Sequence, residues 1–92
     1  MSKANKVIWK HEVPIQDRFV LDLDPNARFL SVAKQGSVSV AWFLRDSDVT
    51  IKTKPRAFVV VGTGLAFDAI GLAYRGTWQD ESFVWHLFED VS

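Results

Sequence analysis

The stretch with the clearest chemical potential is Gly62-Thr63-Gly64, which follows a run of three valines. A strand that leads into a glycine-rich turn can bind phosphate through its backbone N–H groups. The dinucleotide fingerprint also needs a third glycine and a helix, but Phe67 occupies the third position and Gly71 comes soon after it. The P-loop pattern fails as well, because no Gly-Lys-Ser/Thr follows. We expect a structural turn in which Gly62 and Gly64 permit positive φ, with an anion nest as the alternative.

A small-ligand site would need further groups around that turn. Arg56 precedes it, Arg75 follows it, and the chain contains four tryptophans on which a flat ring could stack. The ligand-binding residues in this interpretation are Gly62, Thr63, Gly64, Arg56 and Arg75.

Catalytic and metal-binding patterns are sparse. The chain has no Cys, and its two histidines, His11 and His86, lack metal-ligand spacing. No G-x-S-x-G nucleophile elbow occurs. We therefore expect no enzymatic activity, no metal and no cofactor.

The elements that position these residues are strands. Apolar residues alternate with period two, and no stretch keeps a 3.6-residue period. We predict one all-β domain over residues 1–92, an antiparallel sandwich or barrel of about six to seven strands. At most one short helical turn is expected near 65–70, a bulge at Gly76, and the longest loop at 45–56, with a short extended piece at 49–52. Residues 1–5 and 90–92 are expected to fray.

Charge and hydropathy limit the classes of partner that we expect. Eleven basic and eleven acidic residues cancel, which argues against non-specific nucleic-acid binding. The start of the chain lacks the apolar run of a signal peptide, and no apolar run is long enough to cross a bilayer. We expect a cytoplasmic protein that binds no membrane.

The last predicted strand carries apolar groups on both faces. Trp85 lies on one face and His86 and Phe88 on the other, and Phe43 gives an earlier strand the same surplus. An antiparallel sheet with one wet face should be polar there. Either a barrel or sandwich covers both faces, or one face is an interface. We favour a homo-oligomer, a dimer, with Trp85, His86, Phe88 and Phe43 as interface residues.

The segments "VIWKHEVP", "AFVVVGTG" and "FVWHLFE" resemble a family of small phage and prophage proteins of unknown function, with an IWK-x-x-x-P opening, a VGTG middle and a VWH-x-FE ending. The resemblance covers most of residues 7–89. The chain departs from it at Leu65-Ala66, where the family has His-Pro, and at His11, where the family often has Tyr. The resemblance implies a phage origin and action in the cytoplasm of a bacterial host, and it supplies no activity.

Three functions fit these observations. The first is a non-enzymatic phage accessory protein that binds and inhibits or redirects a host protein, such as a defence component. The second is an oligomeric small-ligand binder, a sponge for a signalling nucleotide. The third is a minor structural protein of the virion. We favour the first.

Overall fold

The computed structural model describes residues 5–92, and over that range the chain forms seven strands and no helix. The strands are β1 (Lys6–Glu12), β2 (Arg18–Leu23), β3 (Arg28–Gln35), β4 (Val38–Asp46), β5 (Lys54–Gly62), β6 (Leu72–Asp80) and β7 (Phe83–Asp90). They pair antiparallel in a three-stranded sheet, β1-β4-β3, and a four-stranded sheet, β2-β5-β7-β6. The all-β prediction is confirmed, and the two open sheets make the fold a sandwich rather than a closed barrel.

The core fills the space between the two sheets. Its largest fully buried side chains are Phe43 from the three-stranded sheet and Phe58 and Leu87 from the four-stranded sheet. The Phe43 ring meets the Phe58 ring edge to face, with centroids 6.0 Å apart. A few large rings therefore supply much of the apolar burial that stabilises this small domain.

The sheets approach most closely where β6 faces β3. A Cβ on Gly76 would lie 2.8 Å from Cγ1 of Val32, so any larger residue there would force Val32 to shift. The register of β6 against β7 shifts between Tyr74 and Gly76, which places a bulge where the sequence predicted one. Nearby, Lys34 of β3 forms an ion pair with Asp80 of β6 at 2.8 Å.

The connections differ from their prediction. The polar segment 45–56 proves to be a shorter loop, 47–53, without a strand at 49–52, because β4 continues to Asp46 and β5 already begins at Lys54. Arg45 looked like a loop residue, but it is buried in β4 with its guanidinium 4.4 Å from the centroid of the Trp9 ring. The longer connection is 63–71, and it contains no helical turn.

That longer connection has a topological reason. β5 and β6 both pair antiparallel with β7 and flank it, so residues 63–71 must cross β7 to join two strands that run in the same direction. In crossing, Phe67 packs its ring 5.1 Å from that of Phe88. The chain itself therefore covers part of the second apolar face of β7, a solution that the sequence analysis did not consider.

The two ends of the chain were expected to fray, at residues 1–5 and 90–92. Residues 1–4 lie outside the described residues. At the other end Asp90 belongs to β7, and the N–H of Val91 donates to the carbonyl of Gly71 at 2.9 Å. Within residues 5–92 no helix could cross a membrane.

Candidate functional site

An open cleft lies where β5 ends beside the β6–β7 hairpin. Its volume is about 500 Å³. It is lined by Gly62, Thr63, Leu65, Ser82, Phe83, Val84 and Trp85. We call it the hairpin cleft. Its lining is mainly apolar and contains no ionisable side chain.

Strand pairing builds the floor of the hairpin cleft. Trp85 of β7 stands opposite Gly62 of β5 on one side and Trp78 of β6 on the other. Trp78 is buried and its indole N–H donates to Ser39 Oγ at 2.8 Å, which anchors this corner to the three-stranded sheet. The Phe83 ring stacks on Trp85 with centroids 5.8 Å apart. The result is a supported aromatic surface whose outer member, Phe83, is 62% exposed.

Glycine at position 62 is favoured by the packing at the floor of the cleft rather than by backbone conformation. Gly64 has the expected positive φ of 88°, but Gly62 does not, so that part of the prediction was wrong. A Cβ on Gly62 would lie 3.3 Å both from Cζ3 of Trp85 and from Cδ1 of Leu65. Any larger residue would have to push one of these two side chains aside.

A chain of hydrogen bonds leads from the cleft along the outer face of the four-stranded sheet. His86 has Thr63 Oγ1 at 2.7 Å from Nε2 and Thr77 Oγ1 at 2.9 Å from Nδ1. Thr77 in turn meets the Tyr74 hydroxyl at 2.6 Å. Both ring nitrogens of His86 are thus engaged by hydroxyls, which fixes Thr63 at the rim. No carboxylate of the described residues orients the imidazole as a catalytic triad would require.

The Gly62–Gly64 turn offers little to an anion. The N–H of Thr63 donates to Val84 O at 3.2 Å, and the N–H of Leu65 donates to Gly62 O at 3.3 Å. An anion nest needs successive N–H groups that converge on free space. Two of the candidate donors are already used inside the protein.

Arg56 and Arg75 lie at the opposite end of the same sheet. Arg56 is six positions along β5 from Gly62, which corresponds to roughly 20 Å of strand. Both guanidiniums bind the buried carboxylate of Glu89, Arg56 at 2.6 and 2.9 Å and Arg75 at 3.0 and 3.1 Å. Arg56 also donates to the carbonyl of Ala27 at 2.7 Å. The structure does not bring these arginines to the glycine turn.

The charge balance at this end is visible in Glu89. Burial raises the pKa of its carboxyl group, but hydrogen bonds and positive charge from Arg56 and Arg75 outweigh burial and hold the pKa below its usual value. Glu89 is therefore ionised and paired. We call Arg56, Arg75 and Glu89 the ion cluster.

The four residues assigned to an interface have different surroundings. Trp85 lines the hairpin cleft, His86 belongs to the hydrogen-bond chain, and Phe88 lies beneath Phe67. Phe43 is 1% exposed and belongs to the core. The assignment of Phe43 to an interface was therefore wrong. β4 directs its side chain toward the other sheet, where it cannot reach a partner while the sandwich is intact.

Sequence reasoning thus identified Gly62, Thr63 and Trp85 but treated them as parts of two separate sites. It missed the lining residues Leu65, Ser82, Phe83 and Val84. Phe83 carried a signal, since it belongs to the apolar run of the last strand. Leu65 carried another, because it stands where the resembled family has His.

Comparison with known proteins gives a family without an activity. The model of a family described as "Domain of unknown function (DUF7352)" matches residues 4–92. No curated protein and no solved structure matches the chain. Among residues 5–92, no group of three His, Asp or Glu side chains could hold a metal ion.

Proposed function

The chain belongs to this family of unknown function, and we propose that it is a non-enzymatic protein whose hairpin cleft binds an apolar side chain of a protein partner. In the phage setting that the sequence resemblance implies, the partner is a protein of the bacterial host, bound in the host cytoplasm and inhibited or redirected by the complex. The observation that carries the proposal is an open cleft of about 500 Å³ with aromatic walls and no ionisable lining residue.

The exposure of the walls supports a partner. Phe83 is 62% and Leu65 is 66% exposed, and apolar surface gains about 25 cal/mol for each Å² removed from water. The Phe83 ring is held by Trp85 beneath it, so little ordering is needed on binding. Central aromatic residues on a firm support are typical of residues that dominate the affinity of protein interfaces.

A nucleotide sponge remains the second hypothesis, because the volume of the cleft suits a small molecule and the Phe83 ring could stack on a base. A phosphate would find no cation in the lining, and both cluster arginines are paired with Glu89. These features favour a protein partner over a nucleotide. Nothing in the geometry favours the third hypothesis, a minor virion component.

The test compares two matched charge insertions. Phe83→Asp places a carboxylate in the cleft, and Val49→Asp places one at a valine that is 80% exposed in loop 47–53. Tagged wild type and both variants are purified from infected host cells, and bound proteins and small molecules are identified by mass spectrometry. A host protein held by wild type and by Val49→Asp, lost from Phe83→Asp, and bound again when both partners are purified supports the proposal.

Two outcomes contradict it. If a host protein binds equally to Phe83→Asp, the cleft is not its site. If a nucleotide copurifies instead and produces a saturable thermal shift that Phe83→Asp abolishes, the ligand-binding hypothesis replaces ours.

A further inference from the structure

A second interaction surface lies on the other sheet, at the free edge of β1. We propose that β1 pairs with β1 of a second copy of this chain, antiparallel and centred on Trp9, so that two three-stranded sheets join into one. The inference rests on backbone geometry, on the positions of charged residues and on exposed apolar groups. It is independent of the hairpin cleft.

The backbone of this edge is free to pair. Among the described residues, β1 lies at the end of its sheet and has β4 as its only strand neighbour. Flanking the strand, the N–H of Val13 donates to Ser39 O at 2.8 Å and the N–H of Ser47 donates to Asn5 O at 3.0 Å. In an antiparallel ladder the hydrogen-bonded positions alternate. Odd-numbered residues therefore bond to β4, and the N–H and C=O groups of the even-numbered residues from Lys6 to Glu12 point away from the sheet.

Those outward groups allow a two-fold pairing centred on Ile8, Trp9 or Lys10, and charge selects among the three. A centre at Ile8 sets Lys6 opposite Lys10 of the second copy. A centre at Lys10 sets that residue opposite itself. A centre at Trp9 sets Lys6 opposite Glu12 of the second copy at both ends of the pairing. Opposite charges directly across strands stabilise a pair and like charges destabilise it, so the register centred on Trp9 is favoured.

Both charges are available for this contact. Lys6 and Glu12 are exposed, and neither forms an ion pair with another described residue. Edge lysines often prevent strand pairing, but Lys10 reaches over the face of its own sheet and donates to Gln35 Oε1 at 2.6 Å. Its charge therefore does not prevent another strand from pairing with this edge.

Apolar groups on both faces of β1 would gain from the contact. Ile8 is 57% exposed on the outer face and Trp9 is 43% exposed on the inner face. In the proposed register the two Trp9 residues form a pair without mutual backbone hydrogen bonds, the type in which side chains approach most closely. Arg45 already lies over one face of each ring, 4.4 Å from its centroid, which holds the indole in place.

This dimer differs from the one that the sequence suggested on the last strand. The contact suggested there used a face of β7, and both edges of β7 are paired, with β5 and β6. Within residues 5–92, β1 has an unpaired edge with self-complementary charges, and this combination favours the second copy at β1.

A charge exchange tests the register. Sedimentation at about 50 µM, a concentration suited to a moderate affinity, is run on wild type, Lys6→Glu, Glu12→Lys and the double variant. Wild type should be dimeric. Each single variant sets like charges opposite one another at both ends and should weaken dimerisation at least about tenfold. The double variant should restore it. Lys52→Glu, in loop 47–53, is the charge-matched control and should behave as wild type.

A backbone variant tests the edge itself. Ile8→Pro removes one outward N–H while leaving the ladder to β4 intact, and proline is tolerated on edge strands. It should be monomeric with a wild-type circular dichroism spectrum. A monomeric wild type overturns the proposal. A dimer that resists both single charge variants and Ile8→Pro also overturns it, because the contact must then lie elsewhere.

Discussion

The two ends of the four-stranded sheet are built from the same strands but differ in the chemistry and exposure of their side chains. At one end the ion cluster pairs the buried carboxylate of Glu89 with two partly buried guanidiniums, those of Arg56 and Arg75. At the other end the hairpin cleft leaves aromatic and aliphatic surface open to water with no ionisable side chain in its lining. The two ends therefore differ in whether their side chains already have partners within the chain. A buried polar group that has all its partners contributes to the fold, whereas supported apolar surface without a cover is suited to a partner.

The buried polar groups of the ion cluster are also hydrogen-bonded, and they connect the two sheets. No buried side-chain nitrogen or oxygen of the described residues lacks a hydrogen-bond partner. Arg56 spans the two layers, because it binds Glu89 on its own sheet and the carbonyl of Ala27 just before β3. Unpaired buried charge is costly, so we expect this end to respond most strongly to substitution.

The largest effect should come from Glu89→Gln. The amide keeps the shape of the side chain but leaves Arg56 and Arg75 without their counter-charge. Removing one member of a buried ion pair costs about 3–5 kcal/mol of folding free energy. Urea unfolding followed by tryptophan fluorescence measures the loss.

Glu81→Gln is its matched control. The Glu81 side chain is 81% exposed and lies 4.0 Å from Lys34, so its loss should change the free energy of unfolding by less than about 0.5 kcal/mol. Equal effects of the two variants would mean that the ion cluster has no special structural role.

An intermediate effect is expected at the cleft end from Gly62→Val. Its added atoms meet Trp85 and Leu65, and overpacking of this kind costs about 1–3 kcal/mol. Gly62→Ala adds only the Cβ and should cost less. The melting temperatures of wild type, Gly62→Ala and Gly62→Val should therefore fall in that order. Identical values would show that the floor of the cleft yields freely.

Much of the fold follows from the sequence because it depends on local pattern. Period-two alternation predicted the strands, and Gly36, with a φ of 62°, closes the two-residue turn of the β3–β4 hairpin. The direction of each face was harder. Phe43 and Trp42 alternate on β4, and only the position of the second sheet decides that Phe43 enters the core.

The candidate site was less predictable because it depends on strands far apart in the chain. Gly62 and Trp85 meet through the pairing of β5 with β7, and the sequence around either residue gives no signal of that contact. The length of an extended strand explains why Arg56 was wrongly placed at the glycine turn. Arg56 is close to the glycine turn in sequence, but an extended strand puts the two at opposite ends of the sheet.

The smallest effect, and the one that separates the two ends by their chemistry, should appear on acidification. Hydrogen bonds from Ser92 and from Arg18 lower the pKa of Asp90 to about 2, from an ordinary value of 3.8. The unfolded chain therefore binds this proton at a higher pH than the folded chain does. The stabilisation is complete well above pH 3.8 and is lost as the pH falls through the folded-state value.

Asp90→Asn should remove that part of the acid response. The urea midpoint of wild type should fall more between pH 6 and pH 3 than the midpoint of Asp90→Asn does. The variant should keep a residual fall, because the pKa of Glu89 is also below its usual value. Phe83→Ser, at the cleft end, should retain the full wild-type response, since no ionisable side chain lines the cleft. A Phe83→Ser variant that lost the response, or an Asp90→Asn variant that kept all of it, would break the assignment of charge to one end of the sheet and binding surface to the other.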